Sequence, residues 1–326
     1  MTLSSTPWLA RIASLILSPA TLLTSHAAET GKATAPIKVL TYNILAGHPE
    51  WEKNAKCDVW AKRAPLVGDV MIGKDQGGPY DFIGTQETST NSNPDLNQAK
   101  QLATRFKEYG SLYPPVDGPG FDGKFSLTNM IFWRKDRWEI DPQDSGAFWL
   151  SDTPETAGSN TWSPVDPATG KNTNKGGKRN VTYGLFHEIA DGRRTGKKVY
   201  LFNTHLNVFV PEARMKSALL IMDRITHRKE AGAPVIVTGD FNARRDSNVY
   251  QFLTGSPVDF EGKSHTAPQP LAEAYAAVGK PEQLPRIDFI FTTPTLKPQW
   301  AADVNVDRDD LRGSDHAPIA ARFEWK

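Results

Sequence analysis

Pro234-Val235-Ile236-Val237-Thr238-Gly239-Asp240-Phe241-Asn242 is the stretch that decides the fold. A β-branched run bounded by Pro and Gly is the pattern of a short buried strand. Gly239 ends the run, and Asp240 and Asn242 then flank Phe241. Residues two apart on an extended backbone face the same way. The reading therefore puts Asp240 and Asn242 side by side at the end of a core strand, with Phe241 anchoring the turn. An acid and an amide so placed suit an attacking water or a phosphoryl oxygen. An Asx-rich turn with no chemical role accounts for the same residues.

Working outward, the strand-then-polar pattern recurs. Residues 198–202 read as a strand ending in Asn203-Thr204-His205, paired with residues 181–189 through the hairpin signal of residues 191–196. A histidine in that position is ordinarily a satisfied surface group. Met215, Ala218, Leu219, Met222 and Ile225 mark an amphipathic helix that stops before Gly232. Residues 286–291 form a strand carrying Asp288 among apolar neighbours, and Ser314-Asp315-His316 precedes a closing strand over 318–323. Toward the N-terminus, residues 37–42 form a strand followed by Asn43, and residues 80–86 form one closing on Glu87. Asn43 is a turn former or a ligand. If those two strands are neighbours, an amide oxygen and a carboxylate converge, which suits a hard cation such as Mg²⁺.

Between these lie helices over 60–71 and 98–109, with Arg63 read as a solvated or capping residue of the first. Residues 111–124 read as a Pro- and Gly-rich loop, and residues 130–134 and 147–150 as short strands. Residues 151–178 form a polar segment with a single Trp162, too long for a structureless loop unless it is a functional rim or mobile.

The chain has 326 residues, enough for one large α/β domain with ample core. Arg11, an apolar stretch over 12–23, and small residues at Ser25 and Ala27 read as a secretory signal ending near Ala27. A membrane anchor is the rival reading, against which stand the short run and Pro19. One domain over residues 28–326 is expected. Without the leader, 37 basic residues face 37 acidic ones, an even balance that weighs against an obligate duplex-DNA binder. A lone Cys57 excludes an intrachain disulfide and reads as a packing residue.

Six motifs in order, Thr41-Tyr42-Asn43, Gln86-Glu87, Asn203-Thr204-His205-Leu206, Gly239 to Asn242, Arg286 to Phe291 and Ser314-Asp315-His316, resemble the endonuclease/exonuclease/phosphatase superfamily. That superfamily includes pancreatic-type deoxyribonuclease, abasic-site endonucleases, inositol-polyphosphate phosphatases and secreted sphingomyelinases. Residues 148–154 also look like an exported bacterial subgroup of it. The resemblance implies a four-layer α/β sandwich with two central, mostly antiparallel sheets. It implies that Asn43, Glu87 and Asp315 hold a divalent metal, Mg²⁺ first and Mn²⁺ second. Asp288 would orient His316, which takes a proton from water; Asp240 and Asn242 would position that water and the phosphoryl group. His205 would bond a non-bridging oxygen or assist the leaving group. The chain departs from the pattern in having no acid over residues 125–129, and Asn207-Val208 where the exported subgroup has Asp-His.

The leading expectation is thus an exported, periplasmic or secreted, monomeric metal-dependent phosphoesterase. Its substrate is a nucleic acid, a phospholipid head group, or a sugar or inositol phosphate, and no stable protein partner is implied. The rival is a non-catalytic module on the same fold that grips sugars or lipids with aromatics such as Trp149 and Trp162. Such a module has no need to keep all eight polar positions.

Overall fold

Period-two alternation decides how the strands stack. In the computed structural model, which describes residues 35–74, 77–114, 125–280 and 285–326, the run over 235–237 is a strand buried on both faces. Val235 and Val237 point into one apolar cluster and Ile236 into another. The leader reading over residues 1–27 lies outside the described residues, as does most of the loop over 111–124. Among the described residues no helix is long and apolar enough to cross a membrane.

In chain order the strands are β1 (Ile37–Asn43), β2 (Phe82–Asn91), β3 (Tyr109–Leu112), β4 (Phe125–Arg134), β5 (Trp138–Trp149), β6 (Asn180–Ala190), β7 (Arg193–His205) and β8 (Val235–Asp240). They continue with β9 (Val258–Phe260), β10 (Lys263–His265), β11 (Ala272–Glu273), β12 (Asp288–Thr292), β13 (Leu296–Asp303), β14 (Asp307–Arg308), β15 (Leu311–Arg312) and β16 (Ile319–Trp325). The helices are α1 (Pro49–Asn54), α2 (Trp60–Ile72), α3 (Gln98–Arg105), α4 (Pro211–Thr226), α5 (Asn248–Leu253) and α6 (Ala274–Ala277).

Two six-stranded sheets result, ordered β13-β16-β1-β2-β4-β3 and β11-β12-β8-β7-β6-β5. Every pairing in them is antiparallel except β1 with β2 and β7 with β8. Ile37, Val39, Phe82, Leu201, Ile236 and Ile290 fill the space between the sheets. Trp60, Val67, Val70 and Met71 of α2 and Leu102 of α3 cover the first sheet, while Met215, Ala218, Met222 and Ile225 of α4 cover the second. The expected α/β four-layer sandwich is what these layers form. Full burial of such aliphatic side chains contributes about 1.5–3 kcal/mol each, so the three apolar clusters hold the sheets in fixed register beneath their ends.

Several boundaries differ from the sequence expectation. The helix expected over 98–109 ends at Arg105, because Tyr109 opens β3, where its hydroxyl donates to Tyr80 O at 2.8 Å. The short strands expected over 130–134 and 147–150 are the ends of long ones, β4 and β5. Arg63 is not solvated. It is fully buried, and it donates to Leu45 O at 2.7 Å, Gly313 O at 3.1 Å and Glu52 Oε1 at 3.0 Å. One guanidinium thereby ties the loop after β1 to the loop before Asp315.

Candidate active site

The two parallel pairs set where polar residues gather. Asn43 at the end of β1 lies opposite Gln86 of β2, and His205 at the end of β7 lies opposite Asp240 at the end of β8. Antiparallel β12 begins with Asp288, also opposite Asp240. The same end of both sheets thus collects Asn43, Asp240, His205 and Asp288. Beneath them the sheets are joined by polar bonds. The Gln86 amide donates to Asn203 Oδ1 at 2.7 Å, and the Asn203 amide donates to Thr85 O and Met130 O, both at 2.8 Å. Gly84 makes this approach possible, since a Cβ there would stand 2.3 Å from Thr238 Oγ1.

Glu87 does not follow a strand end. β2 runs on to Asn91, and a bulge between Thr85 and Thr88 turns Glu87 out at φ 56°. Bulges re-aim a side chain in this way without ending the ladder. Asn43 Nδ2 then donates to Glu87 Oε1 at 3.2 Å and to Asp240 Oδ2 at 3.1 Å. The Asn43 oxygen faces away and accepts the Leu45 N–H at 3.1 Å. Asp315 is exposed; Ser314 Oγ lies 3.5 Å from its Oδ1 and donates to Asn43 O at 2.7 Å.

Asp240 and Asn242 do meet, by a turn and not along an extended backbone. Asn242 has φ 46°, and its N–H donates to Asp240 Oδ1 at 2.9 Å. Its side-chain amide donates to Leu206 O at 3.0 Å, which fixes the amide's orientation, and the same nitrogen stands 2.9 Å from His205 Nε2. Asp240 Oδ2 also lies 3.4 Å from that Nε2, but the shorter contact with an amide nitrogen that can only donate favours an accepting Nε2, with the ring's proton on Nδ1. Burial, then the charges of Arg179 and His316, hold the His205 pKa well below its ordinary value, in keeping with a neutral ring.

His316 is the opposite case. Its Nδ1 donates to Asp288 Oδ2 at 2.7 Å, and its Nε2 lies 3.9 Å from Asp240 Oδ2. Burial lowers its pKa, but the Asp288 charge and hydrogen bond, then Asp240 and Asp315, outweigh burial and raise it to about 10. Burial and the Asp288 charge push the Asp240 carboxyl up to about 7, against the pull of His316 and the Asn242 and Asn43 donors. Among the described residues, Asp240, Asp288 and His316 offer ligand atoms within 4.8 Å of one another. The Asp288–His316 bond already occupies part of that set.

Of the eight residues named from sequence, the structure brings Asn43, Glu87, Asp240, Asn242 and His205 into one bonded network, with Asp288 and His316 against Asp240. Asp315 joins only through Ser314. The oxygen donors fit a hard divalent cation: an N–H group already lies between two carboxylates, where a positive charge is favoured. Glu87 already turns a carboxylate oxygen to this spot, whereas Asn43 would have to turn its amide over to offer an oxygen. Sequence reasoning reads Arg179 only as the end of a basic patch over residues 171–179 and leaves it out of the site. It precedes β6, whose register puts Val181 opposite Thr204 next to His205, so the hairpin register was the available signal.

The Endonuclease/Exonuclease/phosphatase family model matches residues 40–316, and the chain belongs to that family. This family includes phosphatases and nucleases. An endonuclease/exonuclease/phosphatase from Bacteroides vulgatus superposes with a TM-score of 0.67 at 26% identity, over 90% of this chain and 100% of that one. The mannosyl-6-phosphatase Bt3783 of Bacteroides thetaiotaomicron shares the fold, with a TM-score of 0.64 at 22% identity, over 89% of this chain and 100% of that one. In sequence, the probable CCR4-Not complex 3'-5'-exoribonuclease subunit Ccr4 of Encephalitozoon cuniculi is 26% identical, over 69% of this chain and 44% of that protein. The chain thus spans less than half the length of that relative.

Proposed function

We propose that this chain is a metal-dependent phosphoesterase in which His316, once deprotonated at alkaline pH, takes the proton of an attacking water, so that turnover rises with pH through the ionisation of the Asp288–His316 pair. The observation that carries this reading is the 2.7 Å Asp288–His316 bond, which fixes the ring and leaves Nε2 facing the Asp240 carboxylate at 3.9 Å. A carboxylate that holds an imidazole by Nδ1 stabilises the imidazolium formed when Nε2 accepts a proton. Asp240 and the Asn242 amide orient the water and the phosphoryl group in line with it. Glu87, Asn43 and Asp315 are the residues that would hold Mg²⁺, or Mn²⁺, which when bound neutralises charge on the phosphoryl oxygens and the departing oxyanion. His205, with Nε2 engaged as an acceptor, can donate only through Nδ1, which narrows its role to bonding an oxygen on that side.

The organic part of the substrate fits a cleft of about 570 Å³ beside Glu87, walled by Trp51, Phe125 and Phe209, by residues 174 and 176–178 of the long polar segment, and by Arg179 just after it. Phe209 is 62% exposed and Trp51 37%, and such rings offer a flat apolar face to a sugar or a base. Those walls support a ring-bearing phosphate ester over a lipid head group. The test is hydrolysis of bis-p-nitrophenyl phosphate and p-nitrophenyl phosphate with Mg²⁺ and with EDTA. Turnover that EDTA abolishes is expected; none on either ester, with intact binding of sugars, would favour a binding module. Export is part of the same proposal, and the mature protein from its native host should begin near Ala28.

A further inference from the structure

Among the described residues of this site, Arg179 is a cation whose bonding is unfinished. Its backbone carbonyl accepts the Leu150 N–H at 2.8 Å, but its guanidinium makes no hydrogen bond or ion pair among the described residues, and Nε is sealed from solvent. Other inward-facing arginines differ. Arg63 bonds three loop carbonyls, Gly313 O and Glu52, and Arg137 bonds Asp81, Glu188 and Pro36 O. Arg228, in a second cleft under α4, bonds Ile225 O, Gln269 and Ala233 O. Arg179 is half-buried on the cleft wall, with Nε sealed and unbonded, and a guanidinium left without a protein partner in such a place is free to meet an anion.

The surroundings say where that anion sits. Arg179 lines the cleft that also contains Glu87. Burial lowers its pKa more than the nearby Glu87 and Asp240 carboxylates raise it, so those acids do not satisfy it. Arg179 in turn is a cause of the lowered His205 pKa. It therefore shares a cleft with Glu87 and, through the pairing of Val181 with Thr204, comes to the side of His205, close enough for its charge to be felt by His205 and Asp240. Gly176 keeps the segment leading to it in place: at φ 89°, a Cβ there would lie 2.3 Å from Asn207 Oδ1, and the Asn207 amide donates to Lys175 O at 2.8 Å.

We infer that Arg179 is a further catalytic residue, binding non-bridging oxygens of the scissile phosphoryl group with the guanidinium N–H groups that the protein leaves unbonded. The inference rests on the phosphoesterase reading for the identity of the anion, though a phosphate-binding role stands without turnover. Arginine is suited to this task because its planar fork meets two phosphoryl oxygens at once. The neutral His205 cannot supply that charge.

The experiment compares wild-type, Arg179→Gln and Arg179→Ala full-length protein. Calorimetry with inorganic phosphate in Mg²⁺ should show binding to the wild type and a loss of at least about tenfold in Arg179→Gln, the scale of one charge-assisted bond. Turnover of p-nitrophenyl phosphate should fall about 10²–10³-fold in Arg179→Gln, the cost of deleting one donor to a developing oxyanion. Guanidinium ion should restore part of the activity of Arg179→Ala. The decisive control is melting in anion-free buffer with EDTA: deleting an unpaired charge should leave the midpoint unchanged or raise it, where a structural arginine would lower it. Wild-type phosphate affinity in Arg179→Gln, or a lowered midpoint with unchanged affinity, overturns the inference and leaves the phosphoesterase reading intact. Phosphate binding that depends on Arg179 in a wild type with no esterase activity would sink that reading and the catalytic role, and keep Arg179 as a phosphate-binding residue.

Discussion

The side-chain amides of Gln86 and Asn203 meet at 2.7 Å across the space between the two sheets. Asn203 also accepts the Thr238 hydroxyl at 3.0 Å and donates to two β-strand carbonyls. It is fully buried, so each of its four partners lacks water as an alternative. Asn203→Ala should therefore lose about 3 kcal/mol, from several buried polar groups left unsatisfied at once. Urea unfolding measures it. A loss no larger than that of a surface substitution, about 0.5 kcal/mol, would show that water replaces the amide and that the seam is not what holds the sheets in register.

Glu87 sits at a bulge with its backbone strained to positive φ, and it is only half-buried. Such strain persists where a side chain has to be aimed. Glu87→Gln keeps the shape and an oxygen for the Asn43 amide, so the fold should survive. Mg²⁺ binding by calorimetry and Mg²⁺-dependent turnover should both disappear, while the melting midpoint in EDTA stays within a few degrees. Unchanged Mg²⁺ affinity would remove Glu87 from the proposed metal set.

The pH dependence of stability follows from His316. Its folded pKa is raised from 6.5 to about 10 by Asp288 against the opposing effect of burial. A raised histidine contributes stability that is fully present below the unfolded value and is lost as pH climbs through the folded one. In EDTA, the stability difference between wild type and His316→Gln should therefore be largest below about pH 6.5 and shrink toward pH 10. Urea midpoints at several pH values give the curve. A difference that grows with pH would mean the ring is neutral in the folded protein.

The positions legible in sequence are those where a strand's own pattern points at its end. The run over 235–237, followed by Asp240 and Asn242, contains both the apolar alternation and the polar pair, so strand and site could be read together. Glu87 was found for an incomplete reason: the bulge that exposes it leaves no signal in Thr85-Gln86-Glu87-Thr88, and alternation alone suggests that the strand stops. Arg63 was misread because charge was weighed above spacing. It lies three residues after Trp60 and four before Val67, on the face of α2 that is buried, and the loop carbonyls that pay for its burial come from residues up to 250 positions away. Arg179 was left out of the site because, beside Lys171, Lys175 and Lys178, it reads as one of several charges in a basic stretch. Only the β6–β7 register, set by long-range pairing, brings it to His205.

The Asp288–His316 pair carries the final prediction. Asp288 Oδ2 accepts from His316 Nδ1 at 2.7 Å, while Oδ1 is buried without a partner, so holding this ring is the bond Asp288 is placed to make. Asp288→Asn keeps the size of the side chain but can present N–H₂ where the ring needs an acceptor, and it removes the charge that stabilises imidazolium. Turnover should fall on the order of 10³–10⁴-fold, as when a triad aspartate becomes an amide, with the Mg²⁺ affinity kept because Glu87 and Asn43 are untouched. His316→Ala should lose about as much. Residues that act as one unit give non-additive losses, so the double variant should be little worse than either single one. Two losses that multiply would mean that Asp288 and His316 act separately, and the proton would then have to leave through the Asp240 carboxylate, whose pKa of about 7 makes it the next base in the site.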